Sequence, residues 1–167
     1  MRNRNIRIAI LTLLAAMPAL FLLLAQRSLR GYDGLQPGDL LPRAWLQCMD
    51  RTWVETGTWR GTPTLLVVYQ PGCKACRLEL ETLAAVAPSF SGVRIVLLSA
   101  KNELTGMQAP FPIYSDPGGS FLAKVRRLVT PTLYWIDASG QVRFTRVGHR
   151  NAGEEEELFR RFLQDRR

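Results

Sequence analysis

One short stretch, Leu65 to Ala87, limits the folds open to this chain more than any other. Leu65-Leu66-Val67-Val68-Tyr69 is an apolar run of strand length, rich in valine, and reads as a strand buried on both faces. Pro71-Gly72 then signals a turn. From Cys73 onward the apolar residues change period. Cys76, Leu80, Leu83, Ala84 and Ala87 fall at i, i+4, i+7, i+8 and i+11, one face of a helix that Pro88 ends. The sequence therefore predicts a buried strand feeding a helix whose first turn carries Cys73 and Cys76.

That placement gives the cysteines a chemistry. A helix N-terminus offers unpaired N–H groups and the positive end of the dipole, and both favour negative charge. A thiol there loses its proton more readily, and the thiolate is the reactive form. Two cysteines three apart on one turn can close a small disulfide ring. Cys73, nearer the turn, is the expected exposed nucleophile and Cys76 the expected resolving thiol. Lys74 adds a neighbouring positive charge of surface strength. A zinc site is the rival reading, because such sites take four Cys or His ligands. The chain holds three cysteines and one histidine, so zinc would need Cys48, Cys73, Cys76 and His149 together. Two inert core cysteines are the other alternative, and the strand–turn–helix setting speaks against them.

Gln70-Pro71-Gly72-Cys73-Lys74-Ala75-Cys76 after a buried strand resembles the active site of a thioredoxin-like protein. The surrounding pattern, from Gln36 to Val147, resembles the membrane-anchored TlpA/ResA group of thiol–disulfide oxidoreductases. The resemblance implies an α/β fold: a thioredoxin-like central mixed sheet flanked by helices, with an N-terminal transmembrane helix. Two positions depart from the group. Gly72 stands where Trp is usual before the first cysteine, and Ala75 where Pro is common before the second. Both positions tune reduction potential and partner docking. By the same resemblance Pro131 is the cis-proline that faces the cysteine pair, and Thr130 contacts the partner backbone. Gly72 and Lys74 flank the nucleophile and join that expected substrate-binding set. No cofactor is implied beyond the redox-active disulfide.

The charge pattern bears on where such a chain works. The net charge is +8, but Arg2, Arg4, Arg7, Arg27 and Arg30 all flank an N-terminal apolar segment. Beyond them 17 basic residues face 14 acidic ones, a balance of +3. That is an ordinary soluble surface with no basic stripe, which argues against nucleic acid as a partner. Ile8 to Ala25 carries no charge, and as a helix its 18 residues would span about 27 Å, close to the hydrocarbon thickness. A cleaved signal peptide would normally have a shorter apolar core and a better small-x-small exit than Leu23-Leu24-Ala25. An uncleaved anchor fits better. Three arginines before the segment and two after it put the N-terminus weakly inside. Residues 1–30 are thus read as a membrane anchor, or signal sequence, with its linker. Residues 31–167 are read as one thioredoxin-like domain on the far side of the inner membrane, in the periplasm or an equivalent space.

The rest of the chain supplies the expected elements. Ala44 to Cys48 and Trp53 to Thr58 suggest a first hairpin, with Cys48 a small buried or half-buried apolar residue or, alternatively, a third redox thiol. Val93 to Ser99 is a second continuous apolar strand, so strand, helix and strand form a right-handed parallel βαβ unit. Phe111 to Asp116 reads as a short strand and Ser120 to Leu128 as a helix. Leu133 to Ile136 and Gln141 to Val147, joined by Asp137-Ala138-Ser139-Gly140, read as a hairpin. His149 is expected in a solvated loop. The last helix starts within Asn151–Gly153. Its Glu154–Glu157 run reads as a solvated face, with Glu156–Arg160 and Glu157–Arg161 pairs, and Leu158, Phe162 and Leu163 dock it.

Glu79 stands out. It lies three residues after Cys76 on the face of Leu80 and Leu83, and neither Ala75 nor Leu83 at i±4 can pair with it. Glu81, by contrast, has Arg77 at i−4. In the TlpA/ResA group a glutamate at this position lies near the thiols. The expectation is a partly buried Glu79 whose pKa desolvation raises, able to relay a proton to or from Cys76.

The resemblance implies a reductase of protein disulfides drawing electrons from a membrane thiol donor. Apocytochrome c cysteines or other metalloprotein sites are plausible substrates. A thiol oxidant or isomerase on the same fold and a copper-binding chaperone are the alternatives. A peroxiredoxin would need Pro and Thr seven and three residues before Cys73, where Leu66 and Gln70 stand.

Overall fold

The structure is a computed structural model and describes residues 17–18, 34–102, 109–125 and 129–164. The apolar run Ile8–Ala25 falls almost wholly outside these residues. Among the described residues no helix is long and apolar enough to cross a membrane.

Seven strands form one mixed sheet: β1 (Trp45–Cys48), β2 (Trp53–Glu55), β3 (Thr64–Tyr69), β4 (Arg94–Ser99), β5 (Ile113–Ser115), β6 (Thr132–Ile136) and β7 (Val142–Val147). Their order is β2-β1-β5-β4-β3-β6-β7. β4 runs parallel to β3 and to β5, and every other pairing is antiparallel. β3 is central and completely buried, as its unbroken apolar run predicts. Among the described residues the sheet is accompanied by the helices α1 (Lys74–Val86), a single turn α2 (Leu122–Val125) and α3 (Ala152–Gln164).

Alternation along β3 divides the core between two faces. Leu65, Val67 and Tyr69 join Cys76, Leu80 and Leu83 of α1 with Phe159 and Phe162 of α3. Trp135 centres that layer, its ring 4.5 Å edge-on from Phe159 and 5.0 Å from Phe162. Leu66 and Val68 face the other layer, with Leu46, Trp59, Phe121, Val125 and Tyr134.

The loops close in ways the sequence foreshadows. Asp116 ends β5 and turns back, its Oδ2 accepting the Phe121 and Leu122 amides at 2.8 Å each to start α2. The predicted helix to Leu128 is described only for Leu122–Val125. The lead-in segment pairs with the first residues of β7, Gly38 N donating to Val142 O at 2.8 Å and Leu41 N to Gly140 O at 2.8 Å. It covers part of an otherwise open edge. On α3 Phe162 is buried and half-buried Leu158 packs against the core, as read; Phe159, fully buried, is the docking residue the reading lacked, and Leu163 is half-buried.

Candidate active site

Cys73 is the N-cap of α1. Its backbone is extended, and its sulfur accepts a hydrogen bond from the Cys76 amide at 3.1 Å. A sulfur thus occupies the place where Ser or Asp would satisfy a free helix N–H. Cys73 and Cys76 form a disulfide with Cα atoms 5.2 Å apart. Cys73 is partly exposed and Cys76 is fully buried, so a visitor reaches only the first sulfur. That difference in exposure is the one the sequence suggests. Gly72 supports the turn into the helix with φ at 79°, where a side chain would be strained. Lys74 is exposed.

The second wall of the site comes from the loop before β6. The Thr130–Pro131 peptide is cis. The Cys73 sulfur lies 3.7 Å from both the Thr130 carbonyl oxygen and the Thr130 hydroxyl. The fold therefore brings Thr130, the residue before the cis Pro131, against the Cys73 sulfur, with Gly72 and Lys74 beside Cys73 along the chain. Cys48 is elsewhere: it is free, half-buried and packed on the layer across the sheet. Among the described residues no group of three or more His, Cys, Asp or Glu side chains is placed to hold a metal ion.

Beneath the disulfide the structure departs from expectation. Glu79 is completely buried, not partly. It also has a strong basic partner, brought not by its own helix but by β7. Arg146 Nη2 donates to Glu79 Oε1, and the same nitrogen donates to Glu155 Oε2 at 2.6 Å. Glu79 Oε2 accepts the Arg150 amide at 3.0 Å and stands 3.2 Å from His149 Nδ1.

His149 is an exposed loop residue, as the sequence suggests, and the short step from the end of β7 also carries it to Glu79. A further expectation is corrected here. Glu155 does not belong to a solvated acidic run. It is fully buried while Glu156 pairs with Arg160 at the surface, 3.1 Å apart. Burial pushes the Glu155 carboxyl up from 4.5 to about 7, and the nearby Glu79 charge adds to that while Arg146 opposes it.

Sequence reasoning missed Arg146, His149 and Glu155 as parts of the site. Signals existed for two of them. Arg146 shares its strand face with Phe144, which stacks on buried Trp135. Glu155 precedes Phe159 and Phe162 at i+4 and i+7 on the docked stripe of α3.

The exposed and buried halves are joined through β7. Gly148 N donates to the Pro131 carbonyl at 2.8 Å, and Arg146 Nη1 donates to the Gly148 carbonyl. A continuous line of contacts therefore runs from Cys73 through Thr130–Pro131 and Gly148 to Arg146 and Glu79.

Comparison with known proteins agrees with this architecture. A family profile described as AhpC/TSA matches residues 37–145, more than half of the chain, and the chain belongs to that family. The expected thioredoxin-like fold is borne out. No curated protein sequence matches. Among solved structures, a protein described as thiol:disulfide interchange protein DsbE from Chlorobium tepidum is similar with a TM-score of 0.64 and 22% identity, over 79% of this chain and 98% of that one. StoA from Bacillus subtilis is similar with a TM-score of 0.56 and 18% identity, over 71% and 96%. A thiol peroxidase from Chromobacterium violaceum shares the fold with a TM-score of 0.61 and 15% identity, over 80% and 90%.

Proposed function

We propose that this protein is a thiol–disulfide oxidoreductase that exchanges the Cys73–Cys76 disulfide with cysteines of other proteins. One observation carries the reading: Cys73, the N-cap of α1, is partly exposed and its sulfur lies 3.7 Å from the backbone of the Thr130–Pro131 loop. A partner strand laid along that loop brings its own sulfur to Cys73.

In the reducing direction the Cys73 thiolate attacks a partner disulfide. One partner sulfur leaves as thiolate and a mixed disulfide forms. Cys76 then loses its proton and attacks the Cys73 sulfur. That step restores the internal disulfide and releases the second partner thiolate. The helix N-terminus that stabilises a Cys73 thiolate also makes Cys73 a good leaving group. An external dithiol returns the pair to the reduced state. The physiological donor in this reading is a membrane thiol carrier, and the substrates are exported proteins such as apocytochrome c or other metalloprotein precursors. The uncharged run Ile8–Ala25 supports tethering at the inner membrane with the domain in the periplasm or an equivalent space.

Insulin-type disulfide reduction tests the activity. Wild type turns over, Cys73→Ser does not, and activity retained in Cys73→Ser would remove the nucleophile assignment. Labelling of Cys48 or reduced Cys73 in intact cells by a membrane-impermeant thiol reagent tests the compartment.

A further inference from the structure

We propose that His149 is the proton port of the buried half of the site, carrying protons between solvent and the Glu79 carboxylate beneath Cys76. The proposal rests on the oxidoreductase reading and adds a residue and a route to it.

Cys76 and Glu79 are both fully buried and one helical turn apart on the same face of α1. Cys76 must release a proton to resolve a mixed disulfide and regain one when the internal disulfide is opened. Neither residue meets water, so the proton needs a third group. Among the described residues three groups touch the Glu79 carboxylate: Arg146, the Arg150 amide and His149. Arg146 does not give up a proton in proteins, and a backbone amide does not relay one. Glu155 can hold a proton, but it is sealed and reaches Glu79 only across Arg146. His149 has two ring nitrogens. Nδ1 stands 3.2 Å from Glu79 Oε2, while the side chain retains 31% of its exposure. Among the described residues it alone joins Glu79 to solvent.

The two Glu79 oxygens divide the work. Oε1 is held by Arg146, and Oε2 faces His149 and the Arg150 amide. During resolution the Cys76 S–H proton passes to Glu79 and from Oε2 to His149 Nδ1. The imidazolium so formed releases its Nε2 proton to water. The ring is left as the Nδ1–H tautomer, donating to the Glu79 carboxylate. When a donor thiolate attacks Cys73 and Cys76 leaves, water protonates Nε2 and the Nδ1 proton returns through Glu79 to Cys76. The two halves of one redox cycle thus restore the starting tautomer. The charges around this path are Glu79 on α1, Arg146 on β7, Glu155 on α3, and His149 and Arg150 in the connection between β7 and α3.

The full-length chain in detergent is tested with His149→Gln and His149→Ala by following release of a thiol-dye partner from the mixed disulfide. At pH 7 release is expected to slow by at least about 10-fold in both variants. Alkylation of reduced Cys73, which precedes the proton step, should stay at the wild-type rate. Imidazole added to His149→Ala should restore release, which a structural role would not allow. Wild-type release in His149→Gln, or a slow His149→Ala that imidazole leaves slow, would overturn the port. A wild-type protein that forms no mixed disulfide at all would instead sink the oxidoreductase reading and the port with it.

Discussion

The Cys73 sulfur accepts the Cys76 amide at 3.1 Å, so the nucleophile is held by the backbone of the residue that later attacks it. Reduction leaves this hydrogen bond available to a thiolate. Cys73 is therefore expected to alkylate at least about tenfold faster than Cys48 at pH 7, and buried Cys76 slower than either. Mass spectrometry of a timed iodoacetamide reaction checks the order.

Arg146 serves two buried carboxylates with one nitrogen. Arg146→Met leaves Glu79 and Glu155 buried without their cation and should cost about 3–5 kcal/mol in urea denaturation. Adding Glu155→Gln to Arg146→Met should recover part of that loss, because one of the stranded charges is then gone. A loss below about 1 kcal/mol for Arg146→Met would show that the cluster is wet.

Glu155 links stability to pH. Its carboxyl sits at about 7 in the folded chain against an ordinary 4.5. The unfolded chain gives up this proton near 4.5 and the folded chain only near 7, so folding takes up a proton between those values. The associated stability is complete below 4.5 and is lost as pH rises to 7, by an upper bound of roughly 3 kcal/mol. Glu155→Gln cannot ionise. Relative to wild type it should gain stability between pH 5 and pH 8, and denaturation at both values measures it.

Gly72 has φ at 79°, with no atom within 4 Å of where a Cβ would stand. Gly72→Ala should therefore lose about 1–2 kcal/mol through backbone conformation alone. Circular dichroism melts of the oxidised protein test it.

Cys48 packs on the layer opposite the redox pair. Cys48→Ser should leave insulin reduction within about twofold of wild type, since nothing of the site changes. A larger loss would restore its reading as a third redox thiol.

Much of the fold was legible because it depends on local signals. The valine-rich run of β3, Pro71-Gly72 and the apolar stripe from Cys76 to Ala87 fixed strand, turn and helix within a residue or two. Thr130–Pro131 was placed by resemblance rather than by its own chemistry. The buried cluster was not legible because its partners are distant in sequence: Glu79 and Arg146 are 67 residues apart. A helix-centred search at i±4 finds no cation for Glu79, and a charge-run rule places Glu155 in water. Matching the inward face of β7 to the docked face of α3 was needed to see either.

The bare backbone at Gly72 has a consequence for recognition. With no indole screening the first sulfur, a visiting polypeptide meets an open threshold, and even a bulky side chain beside its cysteine finds room. Beside it along the chain stand the exposed Lys74, next to Cys73, and the exposed Val129, next to Thr130. Mixed-disulfide formation is accordingly expected to be faster with peptides whose cysteine has acidic or apolar flanks than with strongly basic ones, and stopped-flow mixing with such peptides measures it.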